Sequence, residues 1–85
     1  MELLFKRFHD KSAYCRAKVI KVFLKLTEAN VVPRYKYFEL LKCVIGRLRD
    51  QTTNVRKNAL KLFAQMIVIY GMIFNVDLRH GKQFM

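Results

Sequence analysis

The chain has 85 residues, 53% of them apolar, which allows one small domain with a modest core and excludes a chain disordered by composition. Seventeen Lys and Arg against six Asp and Glu leave a net charge of +11 with no homopolymeric basic run. Such a balance favours a polyanionic partner, nucleic acid first and an acidic protein or membrane surface second, over a surface whose charge only keeps it solvated. The first ten residues lack the uninterrupted apolar centre of a signal peptide. The longest apolar run, residues 66–74, falls short of the roughly 20 residues that cross a bilayer, so the sequence predicts a soluble, intracellular protein without a membrane partner.

In chain order, residues 2–9 read as the last two turns of a helix with Leu4, Phe5 and Phe8 on one side, its beginning missing. Asp10, Lys11 and Ser12 form a turn in which Asp10 or Ser12 caps the next helix, expected over 13–29 with Cys15, Val19, Ile20, Val22, Phe23 and Leu26 inward. Val32 and Pro33 end that helix and start another, because proline suits the first helical turn and disfavours helix just before it. The third helix, 34–49, turns Tyr37, Phe38, Leu41, Val44, Ile45 and Leu48 inward, with Gly46 marking a place where another backbone approaches. A second turn, 50–53, leads into a fourth helix over 54–70 with Val55, Ala59, Leu60, Leu62 and Phe63 on one side. Gly71 is its expected stop, and residues 72–85 are expected as a loop folding back or a frayed new helix.

The second turn and helix repeat the first. A shift of 40 places Arg47, Asp50, Arg56, Lys61 and Phe63 on Arg7, Asp10, Arg16, Lys21 and Phe23, while eight apolar positions between Leu4 and Phe23 meet apolar residues 40 places on. A period of this length is the signature of stacked helical pairs. Cys15 and Cys43 sit inside apolar helical patterns, so they read as small core residues in a reducing compartment and not as disulfide or zinc ligands.

Two antiparallel helices per unit, with an Asp at the turn and an Arg six residues later, resemble the HEAT repeat. Pro33 departs from it, standing at the start of an A helix where the family has its proline mid-helix. The resemblance implies that Asp10, Arg16, Asp50 and Arg56 pair in a ladder linking neighbouring units. The wording Arg-Phe-His-Asp-Lys-Ser-Ala-Tyr-Cys-Arg at 7–16 and Gly-Arg-Leu-Arg-Asp-Gln-Thr-Thr-Asn-Val-Arg-Lys-Asn-Ala at 46–59 is closer still to the HEAT-repeat, non-SMC subunits of condensin, over about residues 4–70. This resemblance implies a role in mitotic chromosome condensation in the nucleus, on the chromosome. The implied partners are a kleisin subunit, the ATPase-bearing SMC pair and chromosomal DNA. The familiar Asn-Pro-Phe that follows in that family is absent after Tyr70, and Cys15 stands where Val is usual.

Catalysis has little to work with. The six carboxylates are scattered, His9 lies at a helix end as a capping or solvated group, and His80 sits in a polar tail, so no catalytic residue, metal ligand, cofactor or small-molecule substrate is expected. The cations are more informative. Lys18, Lys21 and Lys25 line one face of the second helix, and Lys57 and Lys61 one face of the fourth. With Arg47 and Arg49 at the end of the third helix they form a candidate surface for DNA phosphates, one that reads no bases. Tyr14, Tyr35, Tyr37 and Phe38 are expected mostly in packing roles, although exposed aromatics also stack on unpaired bases.

The sequence thus predicts an all-α, HEAT-type α-α superhelix (solenoid) fragment of about two helical hairpins: a first unit at 1–30 with a truncated A helix, a second at 31–71, and an unassigned tail at 72–85. Its function is expected to be that of a non-catalytic scaffold. The alternatives are a HEAT or armadillo adaptor that binds acidic protein partners and a small stand-alone nucleic-acid binder. Two units bury little apolar surface by themselves, so the isolated chain is expected to be marginal, to self-associate, or to be stable only within a larger array.

Overall fold

The computed structural model describes the backbone of residues 2–81 and the side chains of residues 2–69. Four α-helices follow one another: α1 Glu2–Arg7, α2 Ala13–Glu28, α3 Arg34–Arg47 and α4 Thr53–Gly81. None of them is long and apolar enough to cross a membrane.

Each junction has a local cause. Ser12 takes extended backbone angles (φ −81°, ψ 123°) and its hydroxyl accepts from the Cys15 N–H, while Asp10 Oδ1 accepts from the Ser12 N–H at 2.9 Å. Both expected caps therefore act, Asp10 shaping the turn and Ser12 closing the helix start. At the far end of α2, Asn30 has φ 59°, the Asn30 N–H donates to the Thr27 carbonyl, and the Val31 N–H reaches back to the Leu26 carbonyl. This is a Schellman stop, with asparagine in the left-handed position it tolerates better than most residues. Pro33 then supplies a fixed φ of −60° at the N-cap of α3.

The core is one cluster. Phe5, Phe8, Ile20, Phe23, Leu40, Val44, Val55, Leu62 and Met66 are all buried, and the rings of Phe5 and Phe8 each stack on Phe23 with centroids 5.4 Å apart. The most extensive contact runs between α2 and α4, the B helices of the two units, and α3 packs on α4 within its own unit. This is the arrangement of two stacked helical hairpins. Fully burying one large apolar side chain contributes about 1.5–3 kcal/mol, so the seam between α2 and α4 is where the fold gains most.

Several inward-facing expectations fail, and they fail together. Phe38, Ile45 and Leu60 are exposed at 61%, 46% and 60%, and Leu40 takes the buried place on α3 instead. Tyr14 and Tyr35 also lie outside, and only Tyr37 of the aromatic set is buried. Helical periodicity finds the apolar stripe but not its covered half, because each stripe is wide enough to meet two neighbours. Gly46 is exposed in the last turn of α3 with nothing within 4 Å of where a Cβ would stand, so no backbone among the described residues approaches it.

The fourth helix does not stop at Gly71. It continues to Gly81. A lone internal glycine costs only ~1 kcal/mol relative to alanine, no proline follows, and no described glycine takes the positive φ of a helix stop. Residues 82–85 of the expected tail lie outside the described residues.

Candidate functional site: the inter-unit junction and the basic helix faces

The two turns share one set of hydrogen bonds. In the first, Arg7 Nη1 donates to Asp10 Oδ2 (3.2 Å), and Arg16 Nη1 donates to the backbone carbonyls of Asp10 (2.7 Å) and Lys11 (3.0 Å). In the second, Arg47 Nη1 donates to Asp50 Oδ2 (2.9 Å), and Arg56 Nη1 donates to the carbonyls of Asp50 (2.8 Å) and Gln51 (3.1 Å). The Thr52 N–H meets Asp50 Oδ1 at 2.9 Å, as the Ser12 N–H meets Asp10. Each arginine at a B-helix start thus ties down the turn before it, and it does so through carbonyls that precede the first hydrogen bond of the helix.

One of the turn carboxylates is also reached from the other unit. Arg16 Nε donates to Asp50 Oδ2 at 2.7 Å and its Nη2 to Asp50 Oδ1 at 3.2 Å, a two-pronged pair of the kind a planar guanidinium makes best. The Asp50 side chain is only 1% exposed, and Arg16 and Arg47 flank it. Burial pushes the Asp50 carboxyl up. Hydrogen bonds from Arg16 and the Thr52 N–H, with the charges of Arg16 and Arg47, outweigh that and hold it below the ordinary carboxylate value. Asp10, more exposed, is also lowered, chiefly by the Ser12 N–H with help from Arg7.

The remaining candidates divide by exposure. Lys18, Lys21, Lys25, Lys57, Lys61 and Arg49 are exposed and, among the described residues, form no ion pair. Lys18 lies over the Tyr14 ring at 5.6 Å, a contact that also steadies an otherwise exposed tyrosine. Arg47 differs from these: its Nη1 donates to Asp50 Oδ2, and its side chain is 22% exposed. The i, i+3 spacing of Arg47 and Asp50 was the signal for this. Beside it, Arg16, Arg47, Arg49, Asp50 and Gln51 line a polar recess of about 340 Å³.

Two polar contacts had no signal in the sequence. Gln65 of α4 reaches α2, donating to the Leu24 carbonyl at 2.8 Å and to the buried Thr27 hydroxyl. Lys36 of α3 bridges Glu2 of α1 at 2.5 Å and Glu39 at 3.4 Å, which raises the lysine and lowers the Glu2 carboxyl. Both join elements far apart in the chain, so local spacing cannot announce them.

Comparison with known proteins gives one consistent result. Over 70 residues, 82% of this chain, the sequence is 39% identical to "Condensin complex subunit 1" of Schizosaccharomyces pombe. It is 37% identical over 67 residues to "Condensin-1 complex subunit CAP-D2" of Arabidopsis thaliana and 30% identical over 67 residues to "Condensin complex subunit 1" of Xenopus laevis. The chain spans only 5–6% of the length of these curated relatives. No protein-family model and no solved structure matches it.

Proposed function

This chain belongs, as a short segment, to the condensin subunit 1 family, and from that premise we propose that it is a non-catalytic HEAT-type scaffold segment acting in chromosome condensation. Its partners are other condensin subunits, the kleisin and the SMC pair, and its place of action is the nucleus and chromosome. The observation that carries the scaffold reading is the Arg16–Asp50 junction, which crosses between the units and joins them through a buried carboxylate. An array of hairpins keeps its curvature only if such junctions are stiff.

Within that reading, the exposed cations of the B helices contact DNA phosphates. Lys18, Lys21 and Lys25 on α2 and Lys57 and Lys61 on α4 leave their ammonium groups in solvent, where each neutralised phosphate releases counterions and no base is read. Titration of a labelled duplex at several salt concentrations tests this. Binding is expected to weaken steeply with salt, and Lys21→Glu with Lys61→Glu lowers the slope of log K against log salt by about 2. Absent or salt-insensitive binding refutes it.

A second reading, an adaptor for acidic protein partners, draws support from α3. Lys42 lies 4.8 Å over the exposed Phe38 ring and Lys36 5.8 Å over Tyr35, a surface mixing cations and aromatic rings. Binding to an acidic peptide lost on Phe38→Ala, with duplex binding unchanged, places the partner there.

A further inference from the structure

The repeat makes the two open faces of the molecule comparable with its closed seam. On the outer side of the first unit, Leu4, Arg7, Cys15, Lys18, Val19 and Val22 line a largely apolar groove of about 240 Å³. Their equivalents 40 residues on are Val44, Arg47, Val55, Asn58, Ala59 and Leu62. Five of these six are buried at 5% exposure or less, and Arg47 is folded onto Asp50. The groove is therefore the counterpart of the surface that the second unit buries against the first; Val19 at its floor is already buried, while Leu4, Cys15 and Val22 are half-buried and no described residue closes over them.

The opposite face shows the same relation in reverse. Ile45, Leu60 and Ile67 are 46%, 60% and 53% exposed. Their equivalents in the first unit, Phe5, Ile20 and Thr27, are at 5%, 0% and 1%. In the first unit these positions are covered by the second, as Thr27 is by Gln65. In the second unit nothing among the described residues covers them.

The charges match as well. Arg16 reaches the Asp of the next unit, while Arg56, its equivalent, meets no carboxylate among the described residues. Asp10, the equivalent of Asp50, receives Arg7 and the Ser12 N–H but no arginine from a preceding unit. The chain carries both halves of the contact it already makes once inside itself.

We propose that copies of this chain stack tail to head: Arg56 of one copy donates to Asp10 of the next, and the Ile45, Leu60 and Ile67 face of the first covers the Leu4, Cys15 and Val22 groove of the second. The occupant is a second copy because that groove and that face are the two sides of one seam, with the donor on one and the acceptor on the other. Such a contact is heterologous, so it leaves a free head and a free tail and continues beyond the dimer. It also supplies the third and fourth units that helical arrays of this kind need, roughly three or more.

Sedimentation velocity and light scattering on the 85-residue chain test this across micromolar concentrations. The mass is expected to rise with concentration from the 10.2 kDa monomer past twice that value. Leu60→Glu blocks only the tail and Val22→Glu only the head. Each variant alone is expected to be monomeric, with an apparent dissociation constant raised at least ~10-fold by the buried charge, and to keep its helical circular dichroism. Mixed, the two leave one intact tail and one intact head, and the expected product is a one-to-one heterodimer that grows no further. A wild-type chain monomeric at every concentration overturns the proposal and leaves both faces to hairpins of a longer polypeptide. Single variants that associate as the wild type does, or a mixture that gives no heterodimer, overturn it too. Should Val22→Glu lose helicity, Lys18→Glu at the rim of the same groove replaces it.

Discussion

The turns at Asp10 and Asp50 are written almost alike and fold alike, yet they sit in different electrostatic surroundings. Both carboxylates take a backbone N–H two residues on and an arginine three residues back. Only Asp50 also receives an arginine from another unit, and its side chain is 1% exposed against 25% for Asp10. The shape of a turn is thus set within about ten residues, while the weight its carboxylate carries depends on what is stacked beside it.

The largest test of that contrast is deletion. Asp50→Ala leaves the Arg16 and Arg47 guanidiniums half-enclosed without their acceptor, and breaking a buried pair this way costs about 3–5 kcal/mol. Asp10→Ala is expected to lose far less, since water replaces its partners. Chemical denaturation of both variants measures the difference, and equal losses would erase the distinction drawn between the turns.

Acid gives a second handle. The folded-state pKa of Asp50 lies below its unfolded value, near 3.9 for a free aspartate. Its stabilisation is therefore fully present above about pH 4 and is lost as the pH falls through the folded value. Stability of the wild type should drop through that window, whereas Asp50→Asn should start lower and change less with pH. A parallel decline in both variants assigns the acid sensitivity elsewhere.

Gln65 probes the same seam away from charge. Gln65→Ala removes the donor to the Leu24 carbonyl and the buried Thr27 hydroxyl, an expected loss of about 1–3 kcal/mol readable in the same denaturation series. No effect would mean that water takes its place. The smallest expected change is a gain: Gly46→Ala should raise stability by up to ~1 kcal/mol, because α3 is helical there and the space for a Cβ is open. A loss would show that the glycine is held for a contact outside this chain.

What could be read from the sequence follows the same division. The turn residues and the helix starts were legible, since each rests on spacing within a few residues, and the repeat was legible in the 40-residue shift. The outward turn of Phe38, Ile45 and Leu60 was not, because a wide apolar stripe does not say which of its flanks a neighbour covers. Nor was the extension of α4 past Gly71, where one glycine signals a stop that no second breaker enforces. The ion pair of Arg47 with Asp50 is legible in their i, i+3 spacing.

The arginine clamp on each turn has a consequence for how such a molecule grows. Arg16 and Arg56 each fold their own turn through carbonyls no more than six residues away, and Arg16 alone spends its remaining donors on a neighbour. A stretch of gene encoding 40 residues therefore carries the fastening of its own turn together with half of the fastening for the next. In-frame duplication of that stretch yields a longer array in which every new boundary is furnished from the start, without compensating changes elsewhere. Length in this architecture is a quantity that recombination can adjust in whole steps.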